Sequence, residues 1–389
     1  MWGSLFFNRR IVMVTIDKTK QYSERMALSV MKRYTPDKVR WHYQDGLVLQ
    51  SIFLLGKKTG KMEWCDWVKA MYDTKVRNDG TIEIYNGEEY SLDPINPGKT
   101  LFLLYEKYGE EKYRKAIEYL MDCLRIHPRT RSNGFWHKKN YPWQMWLDGL
   151  YMAGPFYARY IAEFGNEADY DDVVHQFVLI EEKARKKENG LLFHAWDESN
   201  SRAWVNKETS CSRYVWGRGL GWFCMALPDM LEILPEKHQK HRESLLAISS
   251  RVMNAILNVQ DKKSGMWYQI MDMPDEEKNY LESSGTAMFT YFLFKMLRLG
   301  LVPQADISRV KEAARNAYQG LIREKIQEDE SGELHLTDIC KGAGLGVAPM
   351  QQHYRDGSLD YYLVQEPKVA DDFKGVGPFI LAAMEAEDA

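Results

Sequence analysis

Trp146-Leu147-Asp148-Gly149-Leu150-Tyr151, in the middle of the chain, leads from a polar, aromatic segment into a long apolar run. Five other segments have this character, each with a glycine at or just before the start of an apolar run: Trp41–Gly46, Ser91–Gly98, Trp216–Trp222, Glu282–Thr286 and Lys374–Pro378. The glycines at 46, 98 and 149 are about fifty residues apart, and later intervals are longer. Six copies of such a unit predict a repeat fold of helical hairpins.

Helical periodicity covers most of the chain. Apolar residues recur at three- and four-residue spacing, as in residues 111–126, and Thr35-Pro36, Gly109 and Gly165 are helix-ending signals. These patterns predict twelve helices, near residues 17–34, 43–58, 61–75, 97–108, 111–126, 145–164, 167–187, 215–234, 239–260, 281–299, 303–321 and 373–386. Short strand-like pieces are predicted at 81–85, 191–195 and 266–271.

The predicted helices alternate between two kinds. Helices such as 111–126 and 167–187 carry charge along one face, whereas residues 287–297 are apolar on nearly every side. The apolar kind follows the six glycine-containing segments, so an all-α fold, an (α/α)6 barrel of six helical hairpins, is predicted. We expect a single catalytic domain over residues 1–389, with 1–16 as an N-terminal extension. An open α-solenoid is the alternative, but it does not require polar and aromatic residues at one end of every repeat.

The composition of the chain limits the classes of function that it can have. The 389 residues carry a formal net charge of -3, so no basic excess indicates a nucleic acid or an anionic membrane as partner. No run approaches the ~18 apolar residues of a membrane span, and the N-terminus lacks a signal-peptide pattern, which predicts a cytoplasmic protein. Aromatic residues make up 13% of the chain, which suggests a carbohydrate site, with a tryptophan-rich core as the equal alternative.

The five cysteines are widely spaced, odd in number and without a C-x-x-C pair. We therefore expect reduced, buried thiols.

Two acids are candidates for catalysis. Asp148 lies between tryptophans and an apolar run, and desolvation there is expected to raise its pKa so that it can act as a general acid. The alternative is a helix N-cap, a position that Asp also favours. Asp93 occupies the equivalent segment of the preceding repeat, where it could be a second carboxylate or a turn-forming residue before Pro94.

Three histidines, His42, His137 and His194, stand next to aromatic residues. No pair has the spacing of metal ligands, so no metal is expected, and each histidine could equally be a hydrogen-bonded structural residue.

Arg218 is flanked by Trp216 and Trp222. A guanidinium between indole rings suits bidentate binding of a carboxylate, although a structural cation–π pair has the same pattern. The glycines of this segment do not match G-x-G-x-x-G, which excludes a nucleotide site of that type.

Taken together, four of these segments resemble glycoside hydrolase family 105, the unsaturated rhamnogalacturonyl hydrolases, which are related to the family 88 unsaturated glucuronyl hydrolases. The resemblance runs from about residue 20 to the C-terminus, in register, through residues 145–156, 216–222, 283–288 and 374–379.

This resemblance implies an (α/α)6 barrel that acts on a small oligosaccharide left by a polysaccharide lyase, with a C4=C5 double bond in its terminal uronic acid. The enzyme would protonate C4 and add water at C5, after which the hemiketal opens and the neighbouring sugar leaves. By resemblance Asp148 is the proton donor and base, and Asp93 assists it. No cofactor or metal is implied. The substrate-binding residues implied by the resemblance are His42, Tyr43, His137, Lys138, Trp146, His194, Trp216, Arg218 and Trp222.

Three alternatives remain open from the sequence. One is an unsaturated glucuronyl hydrolase for other lyase products. The second is a sugar epimerase on the same barrel, with His137 and His194 as acid and base. The third is a non-catalytic carbohydrate-binding protein.

Overall fold

The computed structural model of the protein describes residues 21–347 and 354–389. Within these ranges the chain forms twelve α-helices. They are α1 (Tyr22–Arg33), α2 (Tyr43–Thr59), α3 (Met62–Tyr72), α4 (Gly98–Tyr108), α5 (Glu111–Arg125), α6 (Leu147–Glu163), α7 (Tyr170–Ala184), α8 (Gly217–Ile233), α9 (Gln239–Asn258), α10 (Ser283–Arg298), α11 (Ile307–Lys325) and α12 (Phe373–Ala386).

The even-numbered helices form an inner ring. Each packs against the next one, and α12 packs against α2, so the ring closes and the open solenoid is excluded. The odd-numbered helices lie outside and pack on the inner ones. Burial follows this arrangement: α10 is buried from Ser283 to Met296, whereas α5 buries only the face that includes Tyr113, Ile117 and Leu124. The all-α, (α/α)6-barrel prediction is confirmed.

Local signals begin and end these helices. The carboxylate of Glu282 accepts the backbone N–H of Gly285 at 2.6 Å and caps α10, and Asp372 accepts the N–H of Lys374 at 2.9 Å and caps α12. At the other ends, Gly60 and Gly109 adopt φ of 72° and 66° after α2 and α4, a conformation that costs glycine little. Since each inner helix is reached through an outer one, all six inner helices begin at the same rim.

The twelve predicted helices all form, with shifts at their ends. α11 begins at Ile307 and runs to Lys325, and α7 begins at Tyr170 because residues 167–169 form a 3₁₀ turn that Asn166 caps. The start of the first predicted helix and the 1–16 extension lie outside the described residues.

The three predicted strands were wrong. In the described structure, 81–85 and 266–271 contain only isolated bridges, and 191–195 contributes its last residue to a strand. Most of their apolar side chains are buried, although Ile84 is 90% exposed, and the backbone follows loops. The strands that do form, β1 to β8, are Gln144–Trp146, Ala195–Asp197, Ile326–Glu328, Leu334–Leu336, Ile339–Cys340, Gly346–Val347, Tyr354–Arg355 and Lys368–Val369. They pair antiparallel as β1–β2, β3–β4, β5–β8 and β6–β7.

All five cysteines lie in the described ranges as buried free thiols, as predicted. None of the helices just described is both long enough and apolar enough to cross a membrane.

Candidate active site

A cavity of about 190 Å³ lies at the rim where the inner helices begin. Nine of the eleven predicted site residues line it: Tyr43, Asp93, His137, Lys138, Trp146, Asp148, Trp216, Arg218 and Trp222. The repeat explains this convergence, because each of these residues stands just before an inner helix, in its first two turns, or in the loop beside one. Their chemical roles remain predictions.

Asp93 forms an ion pair with Lys138. Its Oδ2 lies 2.5 Å from the Lys138 ammonium, and its Oδ1 lies 3.7 Å from Nε2 of His137. Burial acts to raise the pKa of Asp93, but the charge of Lys138, followed by that of His137, holds it below its usual value. Burial also lowers the pKa of His137 to about 4, so this ring is neutral near pH 7. Asp93 is therefore an ionised carboxylate held in place by a cation.

Asp148 has a different partner. Its Oδ2 lies 3.3 Å from Nε2 of His194, at an angle outside the range of a hydrogen bond, while Nδ1 of His194 is 3.0 Å from the Tyr362 hydroxyl. Burial acts to raise the pKa of Asp148, but His194 and then His137 lower it below the usual value. The expected rise in the pKa of Asp148 was therefore wrong, because two imidazoles outweigh desolvation. The N-cap alternative is also wrong, since Asp148 lies in the first turn of α6 and Trp146 holds the N-cap position.

Two predicted residues are not on the cavity wall. His194 is fully buried behind Asp148, where it contacts the carboxylate without facing the cavity. His42 is the N-cap of α2: its Nδ1 accepts the N–H of Gln44 at 3.4 Å, and its ring lies 4.5 Å from that of Tyr43. Both histidines support residues of the cavity from behind.

Aromatic rings form much of the cavity wall. Trp146 stacks with His137 on one side, with ring centres 4.8 Å apart, and with Tyr141, at 4.7 Å. Trp222 meets the edge of Tyr43 at 6.1 Å. Flat apolar faces beside charged groups suit a sugar ring, which has an apolar face and a polar edge.

Arg218 is 1% exposed although it reaches the cavity wall. Its Nη1 donates hydrogen bonds to the Cys340 carbonyl and, at 3.3 Å, to the Ser284 hydroxyl. The guanidinium carbon also lies 4.8 Å from the centre of the Trp216 ring, so the structural cation–π pair is present. Its Nε has no hydrogen-bond partner within the described residues.

Sequence reasoning missed part of the wall. Tyr141, Met152, residues 342–344 and Arg355 also line the cavity. Arg355, at the end of β7, donates from Nη2 to the Tyr141 hydroxyl at 2.8 Å. Residues 341–357 have no helical periodicity in the sequence, so no local signal identified Arg355.

Glycines allow close packing around the two acids. A Cβ on Gly219 would lie 3.1 Å from the His194 ring, and a Cβ on Gly149 would lie 3.3 Å from Nδ1 of His137. These positions let the imidazoles approach the inner helices and so reach the carboxylates. Over residues 21–347 and 354–389, no group of three or more His, Cys, Asp or Glu side chains is placed to hold a metal ion.

A closed helical barrel with two carboxylates in an aromatic cavity at one rim is the arrangement of a glycosidase. The family model described as Glycosyl Hydrolase Family 88 matches residues 22–389, and the chain belongs to that family. The family resemblance found in the sequence is thereby confirmed.

Individual relatives agree with this assignment. A solved structure of a family 105 glycoside hydrolase from C. acetobutylicum ATCC 824 is 44% identical, with a TM-score of 0.90 over 95% of this chain and 100% of that one. An unsaturated rhamnogalacturonyl hydrolase, YesR of Bacillus subtilis (strain 168), is 26% identical over 66% of this chain and 71% of its own length. The unsaturated glucuronyl hydrolase of Bacillus sp. GL1 shares the fold, with a TM-score of 0.68 at 13% identity over 94% of this chain and 95% of that one.

Proposed function

We propose that this enzyme removes the 4,5-unsaturated uronic acid from the non-reducing end of lyase-generated rhamnogalacturonan oligosaccharides. The observation that carries the proposal is the pair of carboxylates in one aromatic cavity, Asp93 beside Lys138 and Asp148 beside His194. The likeness to the rhamnogalacturonyl hydrolase of B. subtilis supports the choice of substrate.

The two carboxylates are suited to different tasks. Asp93 is held by a strong ion pair, so it stays charged and keeps Lys138 oriented toward the cavity. Asp148 lies beside the imidazole of His194, which is a group that can exchange a proton with it. Asp148 is therefore the proton donor in the proposed reaction.

The proposed reaction balances as a hydration. Asp148 donates its proton to C4, and C5 becomes an oxocarbenium-like centre. A water molecule adds to C5 and returns a proton to the Asp148 carboxylate. The resulting C5 hemiketal opens by breaking the bond between C5 and the ring oxygen, which gives a ketone at C5 and leaves C1 as a hemiacetal. The hemiacetal collapses to an aldehyde at C1, the bond from C1 to the neighbouring sugar breaks, and that sugar leaves with the hydroxyl proton. Asp148 is regenerated in its acid form.

Asp148 must first gain a proton, since its pKa lies below the usual value in the free protein. A uronate brings a second negative charge into the cavity, and a like charge nearby raises the pKa of a carboxyl group. Substrate binding thus promotes protonation of Asp148.

The uronate carboxylate would be bound by the cations of the wall. Arg218 is our first candidate and Lys138 the second, and both line the cavity. Trp146 and Trp222 would cover the apolar face of the sugar.

An unsaturated glucuronyl hydrolase acting on other lyase products is the second candidate function, because the fold is shared with such an enzyme. An epimerase that uses His137 and His194 from the cavity has less support, because His194 is buried behind Asp148.

Ultraviolet absorbance tests the proposal, because hydration of the double bond destroys the conjugated chromophore. The protein is incubated separately with lyase digests of rhamnogalacturonan, pectate and glycosaminoglycan, and with saturated oligosaccharides as the control. We expect absorbance loss with the rhamnogalacturonan digest and release of its neighbouring sugar. A preference for the glycosaminoglycan digest would favour the second candidate, and no loss with any digest would contradict both.

A further inference from the structure

A second cavity, of about 180 Å³, lies inside the barrel towards the end where the inner helices finish. We call it the distal cavity. All six inner helices contribute to it, through Gln50, Lys99, Tyr151, Asp229, Lys295 and Leu381. Glu232, in the last turn of α8, is exposed at its mouth. The distal cavity is nearly as large as the active-site cavity and opens at the opposite end of the barrel.

Lys99 is the unusual residue of the distal cavity. The residue is only 6% exposed, and its ammonium has no hydrogen-bond partner among residues 21–347 and 354–389. The ammonium lies over the ring of Tyr151, whose centre is 3.4 Å from Nζ. A buried cation that lacks an acceptor is costly, so proteins usually give such a group an anionic partner.

The other charges around Lys99 already satisfy one another. The ammonium of Lys295 contacts Asp229 at 2.6 Å and Glu232 at 2.8 Å, and it donates to the Tyr291 hydroxyl at 2.9 Å. Arg159, near the end of α6, is ion-paired with Glu163. Among residues 21–347 and 354–389 Lys99 forms no ion pair or hydrogen bond with this cluster, although the charge of Asp229 acts to raise the pKa of Lys99.

Apart from Gln50, whose Oε1 also has no hydrogen-bond partner among the described residues, the rest of the wall is apolar. Phe102, Leu54, Leu103 and Ile233 surround the charged cluster. An engineered cavity of about 150 Å³ holds benzene, so the distal cavity has room for a ligand of about six non-hydrogen atoms. The wall thus suits a molecule with one anionic end and a short apolar body.

We propose that the distal cavity binds a small organic monocarboxylate, with its carboxylate on the ammonium of Lys99 and its apolar part against Phe102 and Leu103. The ring of Tyr151 would connect such a ligand to the active-site wall, because Tyr151 also stacks with Trp222, with ring centres 5.1 Å apart. This proposal is independent of the reaction that the enzyme catalyses.

Calorimetric titration with butyrate and with butyramide tests the proposal. The two molecules have the same size and shape, but only butyrate carries a charge. We expect butyrate to bind the wild-type protein at least ~10-fold more tightly than butyramide, because a hydrogen bond to a charged group is the interaction that differs. Equal binding of both, or no binding of butyrate, would overturn the proposal without any mutation.

Variants locate the site. Lys99→Met keeps the length of the side chain and removes the charge, so it should weaken butyrate binding by about tenfold or more. Lys107→Met, on the exposed side of the same helix, should bind like the wild type. Lys138→Met should also keep butyrate binding, which separates the distal cavity from the active site. Unchanged affinity in Lys99→Met, or loss confined to Lys138→Met, would refute the assignment.

The pH dependence gives a further readout. Burial lowers the pKa of Lys99 to about 7, opposed by Asp229 and assisted by Lys295. The other titratable groups facing this space are Tyr151, Arg159, Glu232 and Tyr291. Butyrate binds the protonated amine of Lys99, so its affinity should fall as the pH rises from 6 through 8. At pH 8 binding should be accompanied by proton uptake, because most of the amine is neutral before butyrate binds; at pH 6 this uptake should be smaller. Affinity that stays constant over this range would contradict a role for Lys99.

Discussion

Replacing Asp148 with asparagine tests the proposed proton donor most directly. The amide has the shape of the carboxylate but no acidic proton, so the contribution of general acid catalysis is lost while the cavity keeps its form. That contribution is typically 10²–10⁴-fold, or about 3–5 kcal/mol of barrier. We therefore expect kcat of Asp148→Asn to fall by at least ~100-fold.

KM should not increase in this variant. Asp148 is ionised in the free protein, and its charge repels a uronate that enters the cavity. Removing that charge leaves the ion pair of Lys138 and the contacts of Arg218 in place. We expect KM to stay the same or decrease, so that the loss appears in kcat.

The chain offers a matched control. Asp45-Gly46 in the first turn of α2 corresponds to Asp148-Gly149 in α6, but Asp45 accepts hydrogen bonds from Tyr34 and, at 2.8 Å, from Arg40. Asp45→Asn should keep turnover within a few-fold of the wild type. It should lower the free energy of unfolding by about 1–3 kcal/mol, because the buried Tyr34 hydroxyl and the Arg40 guanidinium lose a charged acceptor.

Turnover is measured by the loss of ultraviolet absorbance, and folding by circular dichroism and urea titration. Near-normal kcat in a folded Asp148→Asn protein would refute the assignment of Asp148. His194→Gln adds a second readout: without the imidazole the pKa of Asp148 should rise, so the alkaline limb of the kcat profile should move to higher pH. An unchanged profile would mean that His194 has only a structural role.

Four other outcomes are expected. Asp93→Asn should lower kcat strongly because it leaves Lys138 without its partner at 2.5 Å, and a wild-type rate would reduce Asp93 to a loop-forming residue. Arg218→Lys should lose ~10-fold or more in kcat/KM. Arg218→Ala should discriminate much less than the wild type against a methyl-esterified uronide. If Arg218→Ala and the wild type reject the ester equally, another cation binds the carboxylate, and Lys138 is the next candidate. Activity should survive EDTA, and a loss that added metal restores would contradict a metal-free mechanism. Burial lowers the pKa of His127 and of His137 from 6.5 to about 4, so below pH 6.5 the unfolded chain binds more protons than the folded one. Each of these residues should therefore lower the free energy of unfolding by up to about 2 kcal/mol as the pH falls from 6.5 to 5. In urea titrations, the free energy of unfolding of His127→Gln should depend less on pH than that of the wild type.

The sequence alone was sufficient for the architecture. A helix is specified by the spacing of apolar residues within one segment, so twelve helices could be located without knowing what packs against them. The six glycine-containing segments added the repeat, and the repeat implied that Asp93, Trp146 and Arg218 meet at one rim. These are local properties or consequences of regular repetition, and the structure agrees with them.

Electrostatic surroundings could not be predicted in this way. The neighbours of Asp148 in the sequence are apolar and aromatic, which favoured a raised pKa, but His194 arrives from another loop and reverses the shift. Arg355 reaches the cavity from a segment more than two hundred residues beyond Asp148. A pKa depends on distances of a few ångströms between groups that are remote in the chain.

The same distinction applies to Lys99. In the sequence it is one lysine after Pro97-Gly98, at the start of a helix, and nothing marks it as a buried cation. Only the closed ring places its ammonium over Tyr151 in the barrel interior. The periodic pattern of the sequence determined which helices form and where their functional ends meet. The charge state and partners of each side chain were decided by tertiary packing, because they depend on burial and on contacts made across the barrel.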